Sequence, residues 1–433
     1  MAIKLQKLPG NLTLVFLSVF PVILWLLNVG FDAPFESLGT FIASLGKAGA
    51  LSGLTLYCIN PVLSMRHRWL EFYFGGLNNV YKLHKYIGKT SFVLILAHPF
   101  LLGLGRFING KSVTIIWDWS GLLVITGIVA LVFLIFTTAM SIYSHIKHQN
   151  WVNVHKLFGW LIVLFFAHAL SAKSQITKIP ELFVFMMSVG TIGLCAFLYR
   201  SVFSKWLVKR FKYQVSDVNK LTDSVVEIVL KPLGIPLSFQ AGQFAYLSFE
   251  SEVVDVEPHP FSFSNANNGP YIRFVIKALG DDTTKFRNLQ LGTKAYLEGP
   301  FGQFSYKHVK NKKQVWIAGG VGITPFLSMA RSFSGKQYYD IKFFYGTESL
   351  ADAVFLQEFI DITRHLPDNF NTSVVAKNYS GFVTIDSLKQ SLGNLTDYDY
   401  LICGPPRMMD TLQKQLLEAG VNEQNVHVES FSM

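Results

Sequence analysis

The chain has 433 residues, 50% of them hydrophobic and 15% charged, with a formal charge of +10. Soluble globular proteins carry about 25% charged residues, so the composition excludes an all-soluble chain and calls for membrane segments. The charge excludes a second class: residues 1–210 hold 18 Lys and Arg against 5 Asp and Glu, whereas 211–433 hold 20 against 23, so the basic excess belongs to the apolar half and argues against a nucleic-acid partner.

Six apolar stretches occupy the first half, near 12 to 29, 41 to 63, 87 to 104, 121 to 140, 157 to 172 and 183 to 199. Several reach the roughly 20 residues that cross a bilayer; the fifth is short. The first lacks a small-residue cleavage pattern and is followed by further spans, so it reads as a span and not as a cleaved signal. With both ends cytosolic, 13 of the 18 cations, among them Lys82, Lys85, Lys147, Lys156 and Arg210, face the cytosol. Lys47, Arg106, Lys111, Lys173 and Lys178 lie outside, which satisfies the positive-inside rule and predicts a multi-pass protein of the inner (plasma) membrane.

His84 and His98 bracket the third span, and His155 and His168 the fifth. Spans three and five run in the same direction, so the four imidazoles form two levels about 20 Å apart. Paired imidazoles across a bundle are typical axial ligands of b-type haem, and ionisable residues within a membrane are costly and usually functional. His84 with His155 would hold an inner haem, and His98 with His168 an outer one. At about 100° per residue, His98 falls within roughly 40° of the face of His84, but His168 lies about 140° from that of His155. Helix tilt, a local irregularity or a first-turn position of His155 has to absorb that difference. His67, His145 and His148 fall in expected cytosolic loops, with His148 a poorer substitute for His155.

Beyond Lys212 the texture changes to short alternating segments such as VVEIVL, FAYLSF and IRFVIKAL, the strands of an antiparallel β domain over roughly 211 to 305. From 314, buried-strand runs (QVWIAGG, DIKFFYG, DYLICG) alternate with helical stretches, which predicts a parallel sheet of the nucleotide-binding kind. The domains expected are therefore a membrane bundle over 1–210, the β domain over 211–305 and an α/β domain over 306–433. Cys58, Cys195 and Cys403 are too few and too scattered for a disulfide framework or a thiolate metal site.

HPFSFS at 259 to 264, followed by IRFVIKALGDDTTKF, resembles the ferredoxin-reductase-type flavoproteins and, within them, the membrane ferric reductase and NADPH oxidase superfamily. The resemblance implies a six-helix transmembrane bundle followed by an antiparallel β-barrel that binds FAD and an α/β parallel-sheet domain that binds NADPH or NADH. It implies that His259, Pro260, Phe261 and Ser262 form the flavin signature. Phe261 would lie against the isoalloxazine, Ser262 near its reactive nitrogen and His259 near the diphosphate. Lys277, Gly280 and Thr283 would cradle the FAD phosphates, while Asp282 stands where relatives often have an aromatic residue. AGGVGITPFLSM follows a buried strand and opens a helix, so Gly319, Gly320, Gly322, Thr324 and Pro325 would take the nucleotide diphosphate. CGPPRMM matches the second nucleotide loop, with Cys403 and Gly404 flanking the nicotinamide; a buried structural thiol is the alternative for Cys403. HVESF near the C-terminus resembles the family ending in which an aromatic residue, here Phe431, stacks on the flavin. Glu348, after the second strand of this domain, would suit a ribose hydroxyl or be a solvated acid, which leaves NADH and NADPH open.

The activity implied is electron transfer from cytosolic NAD(P)H through FAD and two b-type haems to an extracytoplasmic acceptor. Oxygen, giving superoxide, is favoured over a ferric chelate because no outer domain is apparent to bind one. Arg106 and Lys173 would stabilise an anionic product or chelate, or serve as interfacial cations. Relay to a periplasmic electron-accepting protein is a third outcome, and a non-redox membrane scaffold a fourth. With no calcium-loop pattern before the first span, constitutive activity is expected.

Overall fold

The computed structural model describes residues 2–113, 122–143, 148–170, 174–251, 254, 257–333, 339–364 and 370–430. It divides into two compact units, Ala2–Val208 and Lys209–Met433.

The first unit is helical. Six of its helices are long and apolar enough to cross a membrane: α1 (Ala2–Val29), α2 (Leu38–Leu63), α3 (Leu77–Ile108), α4 (Leu122–Tyr143), α5 (His148–Ala169) and α6 (Pro180–Phe197). Local chemistry sets their starts. Ser37 caps α2 by accepting from the Thr40 N–H at 3.1 Å, and Pro180 opens α6, where its missing N–H costs nothing. Trp25, Leu54, Tyr57, Leu134, Leu161 and Phe165 fill the bundle core, while Phe16, Val132 and Val184 point outward, the pattern expected of helices solvated by lipid.

Two helices outrun their apolar stretches. α3 begins at Leu77, ten residues before its hydropathic segment, because residues such as Lys82 and Lys85 are good helix formers that need no lipid. α5 begins at His148, so His155 lies seven residues inside the helix. The first-turn position considered for His155 is thereby overturned, and His84 likewise sits within a helix. A π-helical turn does occur, at Leu198–Val202, but in the sixth span and not between the histidines of the fifth.

The second unit holds two sheets. β1 (Phe211–Lys220), β2 (Val225–Pro232), β3 (Phe244–Glu250), β4 (His259–Ser262), β5 (Ile272–Lys277) and β6 (Lys294–Phe301) form an antiparallel sheet in the order β4-β3-β6-β1-β2-β5. An antiparallel bridge between Phe263 and Phe274 joins the two outer strands, so the sheet curls nearly into a barrel around Tyr213, Ile228, Leu247 and Phe274. β7 (Lys313–Gly319), β8 (Asp340–Thr347), β9 (Phe370–Ala376), β10 (Asp399–Cys403) and β11 (Val426–Glu429) form a parallel sheet in the order β11-β10-β7-β8-β9. Helices α7 (Thr324–Arg331), α8 (Leu356–Arg364), α9 (Ile385–Leu392) and α10 (Pro406–Glu418) alternate with its strands. Burial on both faces explains why β7 and β10 read as unbroken apolar runs. Strand order reverses between β7 and β10, which places a switch point, the usual ligand crevice of such sheets, at their carboxyl ends.

Candidate functional site

In the membrane unit, α3 carries His84 and His98, and α5 carries His155 and His168. The rings of His84 and His155 face one another across the bundle with centroids 6.1 Å apart and planes at 57°. With metal–imidazole bonds of about 2 Å and ring centres about 1 Å beyond the nitrogen, an ion between two trans imidazoles sets their centroids about 6 Å apart. The pair therefore fits bis-imidazole ligation. His84 Nδ1 donates to the Asn60 carbonyl at 3.1 Å and His98 Nδ1 to that of Gly46 at 3.0 Å. A carbonyl only accepts, so each Nδ1 carries the proton and each Nε2 offers its lone pair to a ligand. His168 lies close enough to His98 to interact with it electrostatically. Among the described residues no three His, Cys, Asp or Glu side chains cluster as a metal site. A facing pair of imidazoles without a third such side chain would suit a group that brings further donors of its own, as haem does.

Glycines make this geometry possible. On α2, Gly39, Gly46 and Gly53 recur every seven residues and face α3. A Cβ on Gly53 would stand 2.9 Å from Leu94 Cβ, and one on Gly46 would stand 3.0 Å from Leu101 Cβ. Close helix approach through small residues is a general device of membrane packing. On α4, a Cβ at Gly127 would lie 2.7 Å from Cε1 of His168. Only glycine leaves room there for the imidazole, so α4 receives the ring that the 13-residue spacing turns away from the face of His155. The histidine spacing alone gave no sign of Gly127; the heptad of glycines on α2 was a legible signal.

In the antiparallel sheet, His259, Pro260, Phe261 and Ser262 form β4, paired with β3 from Leu247 to Phe244. Pro260 is tolerated because β4 is an outer strand. Phe261 meets Phe286 edge-on at 5.9 Å, and His259 meets it at 6.3 Å, which fixes both rings on one side of the strand. The Ser262 hydroxyl is buried without a hydrogen-bond partner. Without a partner among the described residues, this hydroxyl is available to a bound group, and it belongs to the segment that resembles a flavin signature. Lys277 ends β5. Thr283 differs from the expected cradle: its Oγ1 accepts from the N–H groups of Leu279 and Gly280, both at 3.0 Å, so it shapes the turn and leaves neither the hydroxyl nor the Gly280 N–H free.

In the parallel sheet, the two glycine loops lie at the switch point. Cys403, the last residue of β10, is in register with Ala318 of β7. Gly320 adopts φ +53° with open space beside its Cα, a conformation suited to glycine. A Cβ on Gly404 would lie 3.0 Å from Gly319 Cα, and one on Gly322 would run into the Cys403 carbonyl oxygen, so the loops pack backbone to backbone. Thr324 opens α7 and donates to the Val321 carbonyl at 2.7 Å, and Pro325 follows in the first turn, where its missing N–H costs nothing. The Cys403 thiol is fully buried. Burial, with Glu429 nearby, pushes its pKa well above the ordinary thiol value, so the thiol is held neutral. Glu348 follows β8 and pairs with Lys377 at 2.9 Å.

Arg331 on α7 is a contributor that no motif announced. It binds Glu358 bidentately at 2.6 and 2.8 Å and donates to the Ser264 carbonyl at 2.8 Å, so it ties the parallel sheet to the strand end beside the flavin signature. Phe431, Lys173 and His145 lie outside the described residues, as do the side chains of His148 and Asp282.

Three family models match the chain in succession: a ferric reductase like transmembrane component over 48–166, an FAD-binding domain over 210–323 and an oxidoreductase NAD-binding domain over 316–414. Among curated proteins, the ferredoxin–NAD(P)(+) reductase CarAd of Metapseudomonas resinovorans is 25% identical over 234 residues, covering 52% of this chain and 70% of that protein. The flavohemoprotein of Rhizobium meliloti (strain 1021) is 26% identical over 242 residues, covering 51% and 60%; the chain thus spans less than two thirds of that relative. The crystal structure of flavohemoglobin from Malassezia yamatoensis with bound FAD and heme is 17% identical, with a TM-score of 0.51 over 93% of this chain and 98% of that one, a likeness of fold alone. The FAD- and NAD-binding domains are those of NAD(P)H oxidoreductases, and together with the transmembrane component they give this chain the architecture of the ferric reductase and NADPH oxidase-like flavocytochromes.

Proposed function

We propose that the protein is a transmembrane NAD(P)H oxidase that passes electrons from cytosolic NAD(P)H, by way of FAD and two b-type haems, to oxygen on the extracytoplasmic side, giving superoxide. Residues 1–210 form the di-haem bundle of the inner (plasma) membrane, 211–305 the FAD barrel and 306–433 the NAD(P)H domain. The observation that carries the reading is the facing pair His84 and His155, 6.1 Å apart, in a chain that also holds nucleotide loops at a sheet switch point. FAD, when bound, takes two electrons as hydride and releases them singly, and haem carries them one at a time.

The chain's own residues bind and orient. His84 and His155, and at the outer level His98 and His168, hold the irons, with the Asn60 and Gly46 carbonyls fixing the tautomers of His84 and His98. Ser262 hydrogen-bonds the flavin, against which Phe261 lies, while Lys277 faces its phosphates. Gly319, Gly320, Gly322, Thr324 and Pro325 seat the dinucleotide, Cys403 and Gly404 wall the nicotinamide, and Phe431 covers the flavin. Two histidines at each level would hold a haem without leaving a ligand position open, so the acceptor would be reduced at the haem edge. Arg106, whose Nε donates to the Ser112 carbonyl at 2.9 Å at the end of α3, would favour an anionic product or chelate, or serve as an interfacial cation.

The test is reduction of the purified protein by NADH and by NADPH, followed at the Soret band, with and without superoxide dismutase and a ferric chelate. Superoxide-dependent signal supports the oxidase. Chelate-only turnover makes the protein a ferric-chelate reductase, and turnover only with an added periplasmic protein makes it a relay. Reduced flavin over permanently oxidised haems refutes the electron path.

A further inference from the structure

His155 differs from His84 and His98 in what holds its ring. Its Nδ1 is buried and, among the described residues, meets no hydrogen-bond acceptor. Instead the imidazole lies flat against the indole of Trp151, with centroids 4.8 Å apart and planes at 16°, and it meets Phe158 edge-on at 5.2 Å. Trp151 is one turn earlier on α5, where i and i+4 side chains meet. Its indole N–H donates to the Ser141 carbonyl on α4 at 2.9 Å. The indole is therefore pinned across two helices, and the imidazole is pinned by the indole.

We propose that Trp151 is the positioning residue of the inner site: its indole face sets the plane of the His155 ring and shuts water away from Nδ1, so that His155 coordinates as a weaker donor than His84. This inference rests on the bis-histidine haem reading given above. An imidazole whose Nδ1–H donates to a carbonyl is the more basic ligand, and a more basic ligand favours ferric over ferrous iron. An imidazole denied that bond relaxes the preference and makes the inner iron easier to reduce. The 57° between the His84 and His155 planes is the second quantity Trp151 controls, because the low-spin ferric EPR spectrum of a bis-imidazole centre depends on that angle.

The experiment uses the full chain in lipid nanodiscs, as wild type and as Trp151→Phe, Trp151→Leu and Trp151→Ala. Each is also made with His98→Ala, so that the inner centre alone reports. Haem content, the EPR g-values and the spectroelectrochemical midpoint are measured. Phenylalanine keeps an aromatic face and should stay near wild type. Leucine and alanine should shift the g-values and, at fixed applied potential, move the ratio of reduced to oxidised inner haem about tenfold toward oxidised, a fall of about 59 mV for one electron. Unchanged g-values and midpoint in Trp151→Leu and Trp151→Ala with haem retained would overturn the proposal. So would loss of haem from Trp151→Phe as well, which would make Trp151 plain packing. A wild-type protein with no Soret band would sink the underlying haem reading instead.

Discussion

The two units build their sites by opposite means. In the membrane unit, the candidate ligands sit inside long helices, and their partners are backbone carbonyls and glycine clearances on neighbouring helices. In the reductase unit, the candidate residues sit where strands end, and sheet topology brings loops together that are some 80 residues apart in sequence, as with Gly319 and Cys403. A helix site is fixed by rise and rotation, so each level stands on its own pair of histidines. A strand-end site is fixed by loop packing, so one misplaced Cβ disturbs the whole crevice.

The sharpest way to break that contrast is to remove histidines singly. His98→Ala or His168→Ala should abolish the outer haem and keep the inner, and His84→Ala or His155→Ala the reverse. Transfer to the acceptor should fall by more than the roughly 10–100-fold typical of losing an outer-shell partner. Soret absorbance per flavin reads the outcome, and loss of both haems from one substitution would refute the two levels. Next comes Gly322→Val, whose side chain meets the Cys403 carbonyl; overpacking costs about 1–3 kcal/mol. It should raise the KM for NAD(P)H at least about tenfold while flavin content and haem spectra hold, which steady-state kinetics would check.

Arg331→Met strips Glu358 and the Ser264 carbonyl of their donor. The cost should be about 1–3 kcal/mol in the reductase unit, seen as a lower midpoint of denaturant unfolding by flavin fluorescence, with haem absorbance unmoved. Ser262→Ala deletes a buried hydroxyl that has no protein partner, so stability should change by less than about 1 kcal/mol. Stopped-flow flavin reduction should nevertheless slow. The smallest effect is a pH dependence. Because the folded Cys403 pKa is raised, its contribution to stability is fully present below the unfolded thiol value of about 8.5 and fades as pH climbs above it. Cys403→Ala should flatten that limb of the stability profile.

The two units were also unequally legible. Strand texture and loop motifs marked the strand ends and their tight loops because turns and close backbone approaches demand particular residues, above all glycine at 320 and 322. Spacing arithmetic put His84 opposite His155, but it knew nothing of the neighbouring helix. The place of His168 follows from a clearance at Gly127 on α4. Hydropathy misjudged where α3 and α5 begin because apolarity reports the lipid and not the helix, and His155 proved to lie deep within its helix. The Arg331 contacts escaped notice since an ion pair spanning two elements leaves no local pattern. Thr283 matched a motif position and yet spends its hydroxyl on its own turn.

α2 contributes no candidate ligand, yet its Gly46 and Asn60 carbonyls stand 14 residues apart, the same interval that separates His98 from His84 on the helix beside it. Two antiparallel rulers are thus pinned to each other at both marks. Backbone carbonyls do not change when side chains are exchanged, so most substitutions at Asn60 should pass unnoticed. A single residue inserted between 46 and 60 would swing one carbonyl by about 100° relative to the other. In a mutational scan α2 should therefore reject changes of length, and tolerate changes of letter away from the close-packed Gly39, Gly46 and Gly53.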